Sequence, residues 1–209
     1  MAELIYEIEV ETVRANLERV REAAPGIEVL AATKYVAAEG MEKLAEAGVS
    51  LVGENRLQDL EAKQRCFGDL FTWDFIGNLQ SRKVKGILPR VRLIHSVATD
   101  SALKQLGKHA DAETEVLVEV KLSGEETKSG VDPAGLPAFI ERCPVRVTGL
   151  MTMPPFTEDP EDSRPYFARL AELAAEHGLE RLSMGSSQDW QVAVEEGATI
   201  IRLGTALYR

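Results

Sequence analysis

The sequence predicts a (β/α)8 barrel of TIM type with one extra helix at its N-terminus, and residues 1–209 read as a single domain. Three observations lead there. Strand-like apolar segments alternate with helical patterns about eight times along the chain, as parallel βαβ units require. A helical pattern precedes the first strand and can stand in for the one missing after strand eight. The turn after strand one, "ATKYVAAEG", lacks the GxGxxG of an open, dinucleotide-binding doubly wound sheet, which is the competing architecture.

In "EIEVETVRANLERVREAAPG", Val13, Leu17, Val20 and Ala24 share one helical face, and Pro25-Gly26 stops the helix. "IEVLAATK" (27–34) is a strand, followed by a helix over 37–48 that Gly48 closes. Strand "SLVGEN" (50–55) leads to helix "RLQDLEAKQRCF", and strand "TWDFIG" (72–77) to the short helix "LQSRKVKGIL". "RLIHSV" (92–97) precedes a helix from Ser101 to His109. "ETEVLVEVKL" (113–122) reads as the longest strand, with a polar loop and a helix near 133–142 behind it. "VRVTGLMTM" (145–153) leads into "SRPYFARLAELAAEHG", where Ser163 is the expected cap, Phe167, Leu170 and Leu173 the buried stripe and Gly178 the stop. "RLSMG" (181–185), a helix to about Glu196 and "TIIRLGT" (199–205) complete the series. The segment "MPPFTEDPEDSRP" reads as a lid or a surface loop.

Composition narrows the function. A formal charge of −10 with no basic stripe disfavours nucleic acid and anionic membranes as partners. Two distant cysteines, Cys66 and Cys143, form no disulfide framework and suit a reducing cytoplasm. The acidic N-terminus is unlike a targeting peptide, and no apolar run reaches spanning length. His95, His109 and His177 are scattered singly, so no metal site is expected.

Active sites of such barrels lie at the C-terminal ends of the strands. Those positions are Lys34, Glu54, Asn55, Gly77, Asn78, Ser96, Lys121, Met151, Thr152, Gly185 to Ser187, Arg202, Gly204 and Thr205. "MGSSQDW" and "RLGT" occupy the loops after strands seven and eight, the usual phosphate position. Gly185 and Gly204 allow close backbone approach, Ser186, Ser187 and Thr205 supply donors, and a helix N-terminus is expected after Ser187. The competing reading is that SSxD merely caps the next helix. Lys34, stripped of water, becomes a nucleophile towards a carbonyl; otherwise it snorkels at a strand end. A phosphate site beside a Schiff-base lysine suggests a phosphorylated aldehyde or ketone, either pyridoxal 5'-phosphate (PLP) or an aldolase substrate. Arg202, two residues before Gly204, points inward and can face a pyridine nitrogen, unless it pairs with an acid across the barrel.

These residues carry a family resemblance. "AATK" (31–34), "GENRLQD" (53–59), "WDFIGNLQSRK" (73–83), "IHSV" (94–97), "TKSGV" (127–131), "GLMTM" (149–153), "LSMGSSQDW" (182–190) and "IRLGTALY" (201–208) follow in order and spacing. The chain resembles, along nearly its whole length, the YggS/PROSC family of pyridoxal phosphate homeostasis proteins, related to the N-terminal barrel of alanine racemase. The resemblance implies PLP as cofactor, bound as a Schiff base on Lys34. It places Arg202 against the pyridine nitrogen, Ser186, Ser187, Gly204 and Thr205 on the phosphate, and Asn55 and Met151 around the ring. It implies a monomer that buffers or delivers PLP inside the cell, with PLP-dependent apoenzymes as candidate recipients. Asp74, Asn78, Ser186 and Gln188 depart from the family's usual residues, and none of them is expected to touch Lys34, Arg202 or Gly204-Thr205.

Racemisation needs a second base opposite the lysine. In alanine racemases, by resemblance, a tyrosine of a further domain supplies it, and the chain ends just after strand eight. Nothing in the sequence sets Tyr35, Tyr166 or Tyr208 opposite Lys34. A PLP carrier without robust catalysis is therefore the leading expectation, with Lys34 as the catalytic residue should turnover occur. A slow or narrow amino-acid racemase is the first alternative and a class I aldolase-like enzyme the second.

Overall fold

The computed structural model describes residues 5–124 and 129–209. Eight parallel strands close a barrel in chain order: β1 (Glu28–Ala32), β2 (Leu51–Glu54), β3 (Thr72–Phe75), β4 (Leu93–Val97), β5 (Glu115–Glu119), β6 (Arg146–Met151), β7 (Arg181–Ser183) and β8 (Ile200–Leu203). Closure is made by β8 on β1, in register from Glu28 opposite Ile200 to Ala31 opposite Leu203. The open doubly wound sheet is thereby excluded. Around the barrel run α1 (Val10–Ala23), α2 (Ala38–Glu46), α3 (Leu57–Phe67), α4 (Val84–Ile87), α5 (Asp100–His109), α6 (Leu136–Glu141), α7 (Arg164–Glu176), α8 (Trp190–Glu195) and α9 (Thr205–Tyr208).

Alternation along each strand separates two apolar layers. Leu30, Leu51, Leu93, Leu117, Met151 and Ile200 fill the barrel interior, joined by Ile76. Their neighbours, such as Ala31, Val52, Ile94, Val116, Leu150 and Ile201, pack outward on the helices. On the same inward parity, nearer the mouth or the opposite end, stand Asp74, His95, Ser183 and Arg202, all buried.

The leading helix does what its pattern predicts, with Val13, Leu17 and Val20 buried. The place after strand eight is not empty, however: the one-turn helix α9 sits there and α1 packs against it. Asn16, buried on α1, donates from Nδ2 to the carbonyls of Leu207 (3.1 Å) and Arg209 (3.0 Å). A helix end leaves such carbonyls without intrahelical partners, and this side chain satisfies them.

Two expectations are corrected, and one motif is described only in part. The longest strand is β6 and not the segment 113–122, because β5 gives way after Glu119 to an isolated bridge between Val120 and Val131. Ser163 makes no capping bond; its hydroxyl donates to Asp189 Oδ2 at 2.9 Å, tying the start of α7 to the loop before α8. Of the motif 127–131, residues 127 and 128 lie outside the described residues.

Replacing Asn16 with Ala leaves the buried Leu207 carbonyl unpaired at the α1–α9 contact, while that of the exposed Arg209 can turn to water. The expected loss is about 1–3 kcal/mol of unfolding free energy, read from urea denaturation, and an unchanged midpoint would refute the clamp.

Candidate functional site

The C-terminal ends of the strands open onto a cavity of about 580 Å³. Seven predicted residues line it: Lys34, Asn55, Ser186, Ser187, Arg202, Gly204 and Thr205. Met151 does not. It is 3% exposed in the interior layer and reaches an adjoining hollow, which shares Ile76, Gly77, Asn78 and Met153 with the main cavity. Of the lid-or-loop segment, Met153 and the 83% exposed Phe156 reach the cavity rim.

Lys34 differs from its expectation. β1 ends at Ala32, and Thr33 turns the chain by donating its N–H and hydroxyl to the Gly53 carbonyl (3.0 and 3.3 Å). Lys34 therefore stands exposed on the turn, its Nζ 5.0 Å from the centre of the Tyr35 ring. The protein itself does not strip this amine of water. Beneath the turn lies a buried ion pair that sequence reasoning missed. Lys63 Nζ donates to Glu54 Oε1 (2.6 Å) and to the Thr33 carbonyl (2.7 Å), and the Thr33 hydroxyl also donates to Glu54 Oε1 (2.7 Å). Tyr208, held neutral by burial that raises its phenol well above the usual range, donates to the Ala32 carbonyl at 3.1 Å.

The loops after strands seven and eight are joined by Ser187. Its Oγ accepts from the backbone N–H groups of Gly204 (3.0 Å) and Ala206 (3.1 Å), so two donors at the start of α9 converge on one oxygen. Ser186 is committed elsewhere: its N–H and its hydroxyl both donate to Asp189 Oδ1 (2.7 and 2.9 Å). The buried Asp189 carboxylate needs those donors, which leaves Ser186 none free for a ligand. Gly185 serves packing rather than ligand approach. Its φ is +90°, and a Cβ there would lie 2.6 Å from that of Ala193 on α8. Nor does a helix begin directly after Ser187; α8 starts at Trp190.

Arg202 is 7% exposed, and among the described residues no carboxylate lies within ion-pair distance of it, so the expected alternative of an acid across the barrel is not realised. Its Nη1 donates to Ser183 Oγ (2.7 Å) and its Nη2 to the Thr152 carbonyl (2.9 Å). Burial pulls its pKa down to about 10, against the pull of Asp189 and Glu119, so it remains a cation at neutral pH. Below it, His95 contacts Ser183 Oγ through Nδ1 (2.8 Å) and Asp74 Oδ2 through Nε2 (3.1 Å). Arg92 grips both Asp74 oxygens (3.0 and 2.7 Å) and pairs with Glu28. Burial lowers the His95 pKa although Asp74 opposes it, and Asp74 is itself lowered because hydrogen bonds from His95 and Arg92 outweigh its burial. Asp74 does not touch Arg202, as expected, yet His95 and Ser183 link the two. The signal was present in the inward parity of Asp74 and His95 on adjacent strands.

The fold and this mouth set the class. The family model described as "Alanine racemase, N-terminal domain" matches residues 8–209. Within that class the chain belongs to the YggS/PROSC family of pyridoxal phosphate homeostasis proteins. The relative of that name from Aquifex aeolicus is 41% identical over 95% of this chain and 93% of its own length. That from Pseudomonas aeruginosa is 37% identical over 91% and 90%. PipY of Synechococcus elongatus, 32% identical, matches 94% of this chain and 100% of its own, with a TM-score of 0.83 without PLP and 0.81 with PLP bound. Alanine racemase from Corynebacterium glutamicum shares the fold at 17% identity and a TM-score of 0.74, this chain spanning 63% of its length.

Two outcomes follow for the buried charges. Lys63→Met strands Glu54 and is expected to cost about 3–5 kcal/mol in urea denaturation, with Glu54→Leu in the same chain recovering most of it. His95, neutral when folded and titrating near 6.5 when unfolded, makes stability rise with pH up to about 6.5. Below that pH the unfolded state binds the extra proton, at a slope of at most about 1.4 kcal/mol per pH unit. Because Glu119, raised by burial, pulls the slope the other way above 4.5, the His95 share is read as the difference from His95→Gln between pH 5 and 7.5.

Proposed function

We propose that this protein binds pyridoxal 5'-phosphate in the mouth of the barrel and holds it for intracellular PLP homeostasis, by buffering or delivery. The supporting observation is the polar set of one cavity: an exposed primary amine, a buried guanidinium with no carboxylate partner among the described residues, and a serine hydroxyl whose oxygen is fixed by two backbone N–H groups. That set suits a ligand with an aldehyde, a basic ring nitrogen and a phosphate. The named relatives and the PLP-bound PipY support the same reading.

When bound, PLP supplies an aldehyde with which an amine can condense. Lys34 is the proposed point of covalent attachment, presented by the turn that Thr33 and Lys63 fix. The hydroxyls of Ser187 and Thr205 hold the phosphate, the N–H groups of Gly204 and Ala206 fixing the Ser187 oxygen and leaving its proton to donate; Ser186 contributes by orienting this loop through Asp189. Arg202 faces the ring nitrogen and, being cationic, disfavours its protonation. Asn55 borders the ring and Met151 supports it from below.

Holding is favoured over turnover by the two tyrosines of the cavity wall. Tyr35 lies against Nζ, and the Tyr208 hydroxyl is engaged by the Ala32 carbonyl with its phenol held neutral by burial, which disfavours either as the second base. We place the protein in the cytoplasm, acting as a monomer, with PLP-dependent apoenzymes as recipients.

The purified protein is expected to be yellow, and Lys34→Ala to lose that absorbance. Borohydride reduction should fix the cofactor on Lys34; label on Lys121 or Lys128 would move the attachment point, and no PLP affinity would end the reading. Deuterium exchange into the α-position of L-amino acids should stay slow. Exchange above about 1 per second would overturn the carrier reading.

A further inference from the structure

We propose that Asp74, His95 and Ser183 form a directional hydrogen-bond relay through the barrel interior that positions Arg202, and through it sets how tightly the mouth holds its ligand. All four side chains are buried and each stands on its own strand, β3, β4, β7 and β8. The distances are 3.1 Å from Asp74 to His95, 2.8 Å from His95 to Ser183 and 2.7 Å from Ser183 to Arg202.

Donor and acceptor chemistry gives the chain one direction. Arg202 can only donate, so the Ser183 oxygen accepts from it. The Asp74 carboxylate, ionised and gripped by Arg92, can only accept, so His95 presents Nε2–H to it. The other nitrogen, Nδ1, is then an unprotonated acceptor, and the one remaining donor facing it is the Ser183 hydroxyl proton. Every bond between the guanidinium and the carboxylate is satisfied in this arrangement. A neutral His95 completes it without adding a second cation beneath Arg202. Moving one proton on the imidazole would turn Nδ1 into a donor and leave Ser183 with a surplus of donors. Asp74, far from the mouth, thus decides the orientation of a hydroxyl that Arg202 depends on. The effect on PLP rests on the proposed cofactor reading, whereas the relay itself does not.

Two measurements separate the two. Only three histidines occur in the chain, so 15N NMR of the ligand-free protein can assign His95 directly. The neutral Nε2–H tautomer is expected in the native protein and its population should fall in Asp74→Asn. An Nδ1–H tautomer or an imidazolium in the native protein would overturn the relay, as would an unmoved signal in the variant. PLP titrations followed by absorbance then form a double-mutant cycle. Ser183→Ala should weaken binding by about tenfold and Asp74→Asn by about fivefold, as expected for hydrogen bonds to a charged group. The double variant should be no weaker than Ser183→Ala alone. Losses that multiply would mean that Asp74 acts only on barrel stability, which melting of the ligand-free variants reads separately. If the native protein binds no PLP while the tautomer is as stated, the cofactor reading falls and the relay stands.

Discussion

The mouth of this barrel is organised around a buried positive charge. A guanidinium taken out of water without a carboxylate beside it is tolerated only where its N–H groups meet well-placed acceptors. Here the Thr152 carbonyl and the Ser183 hydroxyl serve, with Asp189 and Glu119 acting at longer range through their fields. The acceptors come from β7 and the end of β6, the two strands that precede β8 in the sheet. The same requirement explains the neighbouring commitments. Asp189 gathers Ser186 and Ser163, fixing the loop after β7, and Ser187 from that loop joins the start of α9.

The two ends of the cavity contrast in a way that suits reversible holding. Arg202 is held by the protein before any ligand arrives, whereas Lys34 is exposed on a turn and rests against Tyr35. A fixed recognition group lowers the entropic cost of ordering the site. On the proposed reading, an accessible amine would leave the covalent step open to competing amines and to water. That asymmetry is compatible with the proposed holding role, since an enzyme working on the same amine would have to exclude solvent from its reacting atoms.

Much of this was legible in the chain because its signals are local. Alternation of apolar runs gave the eight strands, and the parity of Arg202 and Gly204 gave an inward arginine. Ser187, Gly204 and Thr205 were found from strand-end positions alone. What escaped were interactions between residues far apart in sequence. His95 and Ser183 lie 88 residues apart along the chain and Asp74 a further 21 before His95, yet their contact requires β3, β4 and β7 to share one interior. Ser186 looked like a donor because its type is right, and only the position of Asp189 shows its donors to be engaged. Lys34 looked buried because the strand was extended two residues too far; the bond from Thr33 to Gly53 ends it.

The two termini of the described chain meet where the proposed phosphate contacts lie. Asn16 of α1 grips the carbonyls of α9, the N–H groups at the other end of α9 converge on Ser187, and Tyr208 of α9 reaches the Ala32 carbonyl ahead of Lys34. One short helix therefore touches the leading helix, the loop that carries Ser187 and the lysine strand. A helix of a single turn has too few internal bonds to persist by itself. Its geometry is borrowed from these three contacts, so the extra N-terminal helix, which looks like a structural filler, is part of what shapes the mouth.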